Sequence, residues 1–381
     1  MHRYLDFNAT CPPVQAALDA VTQAASQAPG NPSSLHWAGR AARRVVDDAR
    51  DKIAAHVKTE SGSIVFTSGG TESNNIAIHS VLANSKPGSI VSSAIEHPAV
   101  LSPLERFSTQ QAKEQGWSLT TVRPDHSGLI NAETMIASIE SSTRLVCLML
   151  ANNETGVLQP VEQVAAHCRE RGIPMLVDAV QALGKTPIDF NALGIDFMSL
   201  SSHKIGGPKG VGLLLVRRGV RLIELAPGGG QERGRRSGTE NVPGIAGFAA
   251  ALDKIDFSTF APIRDLFEEE LMREIPDASI IAKDVNRTPN TSLVLLPGMD
   301  GETLLMQLDL AGFAVASGSA CSSGKREPSH VLMAMGIPEQ LARTSIRVSF
   351  GPGNTEADAR ALVEALLTAS RRLKQMAGVR V

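Results

Sequence analysis

The segment that decides the fold runs from residue 197 to residue 216 and reads FMSLSSHKIGGPKGVGLLLV. A polar, glycine-rich turn separates two short apolar stretches, Phe197–Leu200 and Val211–Val216. Consecutive apolar residues are typical of a strand with both faces buried, as in a parallel sheet covered by helices. Lys204 lies in the turn, directly after the first strand. Because open α/β folds bind ligands at that end of their parallel strands, Lys204 is a candidate site residue.

Strand-like and helix-like segments alternate on both sides of this turn, from about residue 60 to residue 216. Five further strands are predicted at 64–67, 89–92, 119–122, 145–149 and 175–177. Amphipathic helices lie between them, such as Val161–Arg171, which ends at Gly172. This alternation predicts an α/β fold with a mostly parallel seven-stranded sheet flanked by helices.

The pattern changes near Leu225, where a glycine-rich stretch precedes a series of helices and short strands. Such a series is typical of a smaller α+β unit. We therefore expect two domains. Residues 14–255 would form the large cofactor-binding domain, and residues 1–13 with 256–381 would form the small C-terminal α+β domain.

Composition excludes several classes of protein. The 381 residues are 43% hydrophobic and carry a net charge of -2, which fits a folded chain without a global positive field. Direct nucleic-acid binding is therefore not expected. The longest apolar stretch, Leu145–Ala151, is far shorter than the ~20 residues of a membrane helix, so no membrane association is expected. The four cysteines are widely spaced, which favours neither a metal site nor a disulfide framework and indicates the reducing cytoplasm.

Two other predicted strands also end in polar residues. Asp178 follows an apolar strand and is a candidate site residue. It could equally be a helix cap or half of a buried salt bridge. Another strand is followed by a turn that contains the glycine pair Gly69–Gly70 and Thr71. Such a turn suits a phosphate group, although a simple capped turn has the same sequence pattern. A lysine amine can bind an aldehyde cofactor covalently, and a carboxylate can keep a pyridine nitrogen protonated. A phosphate cradle, an acid and Lys204 on strands of one sheet together predict a pyridoxal phosphate site.

The sequence resembles the class V aminotransferase-like, fold-type I pyridoxal phosphate enzymes, and most closely the cysteine desulfurases of the nitrogenase and iron–sulfur cluster type. The resemblance covers nearly the whole chain. It rests on ordered matches at Tyr4–Thr10, Gly30–His36, Phe66–Ser73, Glu96–His97, Asn152–Gly156, Val177–Gln181, Ser201–Lys204, Arg236–Thr239, Ser317–Cys321 and Ser345–Arg347.

The resemblance implies a role for each matching position. The catalytic residues would be Cys321, Lys204 and His97, with His97 stacking on the cofactor ring. The cofactor would be held by Gly70, Thr71, His97, Asn153, Asp178, Gln181, Ser201, His203 and Lys204, and by Thr239 from a second subunit. Gln181 would bond the ring hydroxyl. Arg347, which could otherwise be an exposed strand arginine, would bind the substrate carboxylate, with Asn153 beside it.

The implied activity is that of a homodimeric cysteine desulfurase, which converts L-cysteine to L-alanine. A Cys321 persulfide would pass its sulfur to an acceptor protein, for iron–sulfur cluster assembly, another thio-cofactor or sulfur modification of nucleic acid. Cys321 lies in a small, polar stretch near Lys325 and Arg326, which favours a reactive thiolate and a loop that moves. Cys147 and Cys168, by contrast, have the surroundings of buried core residues. Cys11 stands where the family usually has threonine, and its role is open.

Several alternatives keep or change this chemistry. A selenocysteine lyase or an aminotransferase acting on a small amino acid would use the same fold and cofactor. A non-catalytic, partner-binding member of the fold is disfavoured because Lys204 and Cys321 are both present. A nucleotide-binding loop protein is excluded because the chain has no G-x-x-x-x-G-K-[ST] motif.

Overall fold

A computed structural model describes residues 2–83, 85–254, 256–317 and 327–376, with side chains as far as residue 372. The strands in this part of the chain are β1 (Arg3–Tyr4), β2 (Ile64–Thr67), β3 (Ser89–Ser93), β4 (Ser118–Val122), β5 (Thr143–Cys147), β6 (Met175–Asp178), β7 (Phe197–Ser201), β8 (Gly212–Val216), β9 (Ser279–Ile281), β10 (Thr291–Leu295), β11 (Phe313–Ala314), β12 (Ala316–Ser317) and β13 (Ser345–Ser349).

The helices connect these strands and cover their faces. They are α1 (Gln15–Gln27), α2 (Trp37–His56), α3 (Gly70–Leu82), α4 (Pro98–Glu105), α5 (Gln110–Glu114), α6 (Ala132–Ala137), α7 (Val161–Arg171), α8 (Phe190–Leu193), α9 (Gln231–Gly234), α10 (Val242–Ala251), α11 (Ala261–Glu274), α12 (Gly301–Leu310), α13 (His330–Ala334), α14 (Glu339–Ala342) and α15 (Glu356–Met376). None of those within the described ranges is long and apolar enough to span a membrane.

The largest sheet among the described residues has seven strands in the order β2-β8-β7-β6-β5-β3-β4. Only β8 runs antiparallel to its neighbours β2 and β7. The predicted α/β fold with a mostly parallel seven-stranded sheet is therefore confirmed. Successive side chains of a strand point to opposite faces of a sheet, and here both faces are buried. Leu213 and Leu215 pack with α2, α7 and α10, whereas Leu214 packs with α3 and α4.

A second, antiparallel sheet has the order β12-β13-β10-β9, and β1 pairs with β11 in parallel. The antiparallel sheet and its helices have a hydrophobic core separate from that of the large sheet. This core includes Phe267 of α11, Leu304 of α12, Val348 of β13 and Leu366 of α15. Leu5, close to the start of the chain, also packs in this core. The α+β unit expected after the glycine-rich stretch is thus present, while the domain boundaries at residues 13 and 255 stay a prediction.

One predicted helix is shorter than expected. The sequence predicts a helix over Val242–Ile255, but α10 ends at Ala251, because the chain then turns and the Lys254 N–H bonds to the Ala251 carbonyl at 3.0 Å. The N-terminal helices α1 and α2 pack with α10 and share the core of the large sheet, with Ala42, Val46 and Phe248 as members.

Candidate active site

Polar residues collect at one edge of the large sheet, where β2, β3, β5, β6 and β7 all end. A cavity of about 300 Å³ opens there. Because parallel strands end at the same edge, the residues that follow them in sequence meet in space. The predicted site residues that line the cavity are Gly70, Thr71, His97, Asn153, Asp178, Gln181, Ser201, His203, Lys204 and Arg347.

Lys204 lies in a single 3-10 turn, Ser202–Ile205, directly after β7. Its Nζ donates to two consecutive carbonyl oxygens near the N-terminus, those of Asn8 at 2.7 Å and Ala9 at 2.9 Å. The turn ends at Gly206, which adopts the left-handed conformation with φ of 75°. A tight turn that glycine closes thus aims a lysine amine into the cavity from the sheet edge.

Asp178 ends β6 and is buried, with 6% of its surface exposed. One carboxylate oxygen accepts from Asn74 Nδ2 at 2.7 Å and the other accepts from the Val180 N–H at 3.0 Å. No ion pair joins Asp178 to a cation among the residues that the structure describes. Both donors are neutral, so the carboxylate keeps its charge available for a cationic N–H placed in the cavity.

Gln181 has its side-chain amide already engaged on both sides. Nε2 donates to the Asn8 carbonyl at 2.8 Å, and Oε1 accepts from Lys185 Nζ at 2.6 Å. An amide nitrogen carries two hydrogens, so one N–H is still available for a ligand. The predicted contact with a ring hydroxyl is compatible with this arrangement, with Gln181 as the donor.

His97 caps the start of α4, where its Nδ1 accepts from the Ala99 N–H at 3.1 Å. Burial lowers the pKa of His97, and the charge of Lys204 lowers it further, against the opposite effect of Asp178. The ring is therefore neutral at pH 7. Since Nδ1 accepts a hydrogen bond, the proton resides on Nε2, which is the nitrogen that remains for contacts in the cavity.

The predicted phosphate cradle is the turn between β2 and α3. Gly69 has a φ of 154°, and α3 begins at Gly70, so the first N–H groups of this helix lack intrahelical acceptors. A Cβ on Gly212 of the neighbouring β8 would lie 2.5 Å from the Gly69 Cα, so this close approach requires glycine. His203 completes the wall, and its Nδ1 lies 3.1 Å from the Thr10 hydroxyl. Burial lowers the pKa of His203 to about 4, which makes it a neutral hydrogen-bonding group.

Arg347 lies in the middle of β13 and is only 3% exposed, which excludes the exposed strand arginine considered above. Its Nη1 donates to the Asn153 carbonyl at 3.0 Å and its Nη2 donates to Asp6 at 2.7 Å. Arg347 Nε is buried and has no hydrogen-bond partner within the described ranges. Asn153 also lines the cavity, and its Oδ1 is likewise buried without a hydrogen-bond partner within the described ranges. Two side chains that line the cavity, those of Arg347 and Asn153, therefore each carry a buried polar atom that is unsatisfied within the described ranges.

Two predicted residues are not brought into this cavity. Thr239 is exposed on the surface of the single chain and does not line the cavity. Cys321, together with the loop motion predicted around it, lies outside the described residues. The core assignments of Cys147 and Cys168 are confirmed, since both are buried. Cys11 is buried too, and burial raises the pKa of its thiol to about 12.

Asn8 and Lys185 are site residues that the motif roles missed. The Asn8 carbonyl accepts from both Gln181 and Lys204, and its side chain accepts from Lys185 Nζ at 2.6 Å. Asn8 lies within the Tyr4–Thr10 match, but no strand end or turn pattern singles it out. Lys185 comes shortly after the apolar pair Ala182–Leu183. A lysine among apolar residues is unusual, and this feature of the sequence could have identified it.

Two buried carboxyls lie just behind the cavity wall. Glu96 precedes His97 and accepts hydrogen bonds from Ser93 Oγ at 2.6 Å and the Met149 N–H at 2.7 Å. Burial raises the pKa of Glu96 to about 8. Glu154 contacts Ser329, and burial raises its pKa to about 7. Glu96 is therefore protonated at neutral pH and adds no negative charge beside the cavity.

The sequence profile of the family Aminotransferase class-V matches residues 3–362. The chain belongs to the aminotransferase class-V family. Within it, the chain is 40% identical over 380 residues to a protein of Nostoc sp. named cysteine desulfurase, which covers 98% of this chain and 94% of the relative.

Solved structures of other family members superpose on this one. A structure titled NifS-like protein has a TM-score of 0.88 and 33% identity, over 97% of this chain and all of that chain. A structure titled SspA in complex with cysteine has a TM-score of 0.82 and 32% identity, over 93% of this chain and all of that one. The resemblance inferred from the motifs is thereby confirmed for the family and the fold.

Proposed function

We propose that this protein is a pyridoxal phosphate-dependent cysteine desulfurase. The observation that carries the proposal is the single cavity in which a lysine, a buried carboxylate without a cationic partner among the described residues, a helix N-terminus and an arginine meet. Its relatives named cysteine desulfurase, and a similar structure titled as a complex with cysteine, support the same activity.

The residues present fit pyridoxal phosphate. Asp178 has only neutral hydrogen-bond donors among the described residues, and a protonated pyridine nitrogen would supply a cationic N–H to it. Asn153 Oδ1 and Arg347 Nε are buried polar atoms that have no hydrogen-bond partner in the described ranges. The Gly70–Thr71 turn with Ser201 and His203 offers the neutral donors that a phosphate group prefers at a helix N-terminus.

The proposed reaction requires protons at three places, and a different residue would act at each: Lys204, Asp178 and His97. When bound, pyridoxal phosphate supplies an aldehyde for amines and a ring that takes up electrons. Lys204 would hold the cofactor and, once released by the substrate amine, move the substrate α-proton on its Nζ. The carbonyls of Asn8 and Ala9 orient that amine. Asp178 would hold a proton at the ring nitrogen, and His97 would move a proton at the substrate thiol through Nε2.

Arg347 would bind the substrate carboxylate. Asn153 and Asp6 each use one of its N–H groups, and the second hydrogen of each terminal nitrogen would remain for a planar anion. The Asn153 amide lies beside it. Because the guanidinium is buried, the charge of a carboxylate bound there is little screened by water. This favours an α-amino acid as the substrate.

Cys321 would take the sulfur. Its thiolate attacks the substrate sulfur, so that L-cysteine and the Cys321 thiol give L-alanine and a Cys321 persulfide. The terminal sulfur of the persulfide then passes to the thiol of an acceptor protein. Such acceptors would serve iron–sulfur cluster assembly, another thio-cofactor or sulfur modification of nucleic acid. The free, buried cysteines at positions 11, 147 and 168 favour a reducing compartment, the cytoplasm, as the place of this chemistry.

The active form would be a homodimer, in which Thr239 reaches the phosphate site of the partner. Thr239 is exposed in the single chain, and Leu35 and Trp37 are 90% and 72% exposed. Arg43 links this surface to Glu240 through an ion pair of 3.0 Å. Large exposed apolar side chains beside a loop of predicted function favour a subunit contact.

Two measurements test the activity. Borohydride treatment of the protein loaded with pyridoxal phosphate should attach the cofactor permanently to Lys204, as peptide mass analysis would detect. With L-cysteine and a thiol acceptor, the loaded protein should form alanine and transferred sulfur in equal amounts. Recovery of the cofactor on another lysine would overturn the assignment of Lys204, and a keto acid product would indicate an aminotransferase.

The variant Cys321→Ser should retain cofactor binding and release no sulfur. Cys168→Ala, which removes a buried thiol from α7, is the matched control and should keep the wild-type rate. Sulfur release by Cys321→Ser at the rate of the control would show that Cys321 is not the acceptor.

A further inference from the structure

Lys185 lies behind the cavity wall and is 7% exposed. Its Nζ donates to Asn8 Oδ1 and to Gln181 Oε1, both at 2.6 Å. Its Nζ also lies 5.4 Å from the centre of the Phe257 ring. Lys185 does not line the cavity. The family resemblance assigns no role to it.

The charged groups around Lys185 are unusual for a buried lysine. Those that face it are the cations Lys204 and Arg347 and the thiol of Cys11. No salt bridge joins Lys185 to a carboxylate within the part of the chain that the structure describes. Burial and the two cations lower the pKa of Lys185 well below its ordinary value. Both protonation forms of the amine have the two hydrogens that its two hydrogen bonds require.

These hydrogen bonds determine which way the Gln181 amide faces. The side that contacts Lys185 must be the carbonyl oxygen, since Lys185 donates there. The amide nitrogen is thereby turned away from Lys185, where one of its hydrogens bonds to the Asn8 carbonyl at 2.8 Å. The second hydrogen is left for the cavity. Without Lys185, the amide oxygen would lose its donor, and the Asn8 carbonyl alone would hold the amide in this orientation.

We propose that Lys185 is a positioning residue that holds Gln181 as a hydrogen-bond donor towards the ring oxygen of the cofactor. The inference rests on the proposed function, in which Gln181 contacts that oxygen. A donor at an anionic ring oxygen stabilises its charge, and this weakens the hold of the adjacent Lys204 nitrogen on its proton. Loss of Lys185 should therefore raise the pH at which that proton is released.

The test compares Lys185→Met with the wild type, both loaded with pyridoxal phosphate. We expect the dissociation constant of the cofactor to rise about tenfold, as for one lost hydrogen bond to a charged group. The visible absorption of the bound cofactor reports the proton on Lys204, and its pH midpoint should rise by about one unit. Lys52→Met is the control, since it removes an exposed lysine that is paired with Asp253 on the surface. The control should leave both values unchanged.

Gln181→Leu separates this inference from the proposed function. If Lys185 acts through Gln181, Gln181→Leu should shift the midpoint in the same direction, and adding Lys185→Met to it should cause no further shift. A shift in Gln181→Leu but not in Lys185→Met, even with a lowered melting temperature, would mean that Lys185 is only structural. Additive shifts would also overturn the inference.

No shift in Gln181→Leu would mean that the proposed ring contact of Gln181 is wrong, and the inference would fall with it. If Lys185→Met yields no folded protein, Lys185→Gln is measured by the same criteria. Its shorter side chain cannot reach both oxygens.

Discussion

Arg347 combines a fixed guanidinium with an unpaired N–H. Nη1 and Nη2 are held by Asn153 and Asp6, and Nε is buried without a partner in the described part of the chain. The planar group is thus oriented before any substrate arrives. Preorganisation of this kind reduces the entropy that binding must overcome.

We expect Arg347→Lys to raise the KM for L-cysteine about tenfold or more, because a point charge replaces a planar fork and cannot keep both existing bonds. The kcat should fall less. Steady-state alanine formation measures both constants. Arg360→Lys, a change on the exposed face of α15 where Arg360 pairs with Glu270, is the control. An unchanged KM for Arg347→Lys would show that the residue is structural.

Glu96 gives the folded protein a predictable response to pH. The ordinary pKa of the carboxyl is 4.5, and burial raises it to about 8. Between these values, Glu96 is protonated in the folded chain and ionised in the unfolded chain. The unfolding free energy should therefore fall as the pH rises through this window, by at most about 1.4 kcal/mol per pH unit from this group.

Glu96→Gln should remove this contribution, so the variant should lose less stability than the wild type between about pH 5.5 and about pH 7.5. Urea unfolding midpoints at the two pH values measure the difference. Glu60→Gln changes an exposed carboxyl and should follow the wild type. An equal loss of stability in Glu96→Gln and wild type would mean that Glu96 is ionised in the folded state.

At the scale of elements, the junction of β2 and α3 depends on a residue from another strand end. A Cβ on Gly70 would lie 2.6 Å from Val180 Cγ2. Val180 follows Asp178 and donates its N–H to that carboxylate. The glycine at the start of α3 and the valine after β6 therefore fit each other.

Gly70→Ala should weaken cofactor binding about tenfold, because the overpacked contact pushes α3 away from the end of β6 at a cost of about 1–3 kcal/mol. Val180→Ala alone should have a smaller effect, and the double variant should regain most of the lost affinity. Fluorescence titration with pyridoxal phosphate measures all three. If the double variant binds as weakly as Gly70→Ala, steric contact with Val180 is not the cause.

Local sequence pattern predicts some residues of the site, whereas others depend on contacts between distant elements. The strands β6 and β7 are mostly apolar and are followed by polar residues, so their ends, and hence Asp178 and Lys204, follow from local pattern. Lys185 could not be assigned in this way. Its partner Asn8 is 177 positions away, and only the folded chain brings the two together. The glycine requirement at position 70 likewise depends on Val180, a contact that no local pattern encodes.

For the whole molecule, the proposed contribution of Thr239 to the partner's site can be tested by mixing subunits. Thr239→Val should bind the cofactor more weakly, and Lys204→Ala should not hold it covalently. In a mixed dimer, the subunit with intact Lys204 receives Thr239 from its partner. Mixing the two variants should therefore restore tight binding in up to half of the sites, as measured by borohydride labelling. No recovery on mixing would mean that Thr239 acts within its own chain or not at all.

The ion pair of Asp6 with Arg347, which lines the cavity, joins residues that are 341 positions apart. During translation, the first of these residues leaves the ribosome long before the second exists. At roughly 5–20 residues per second, the delay is tens of seconds. Contacts of such long sequence separation also close late in folding, because they order the most chain. The nascent chain can therefore build its large sheet early, but it cannot bind the amino acid substrate until synthesis is nearly finished.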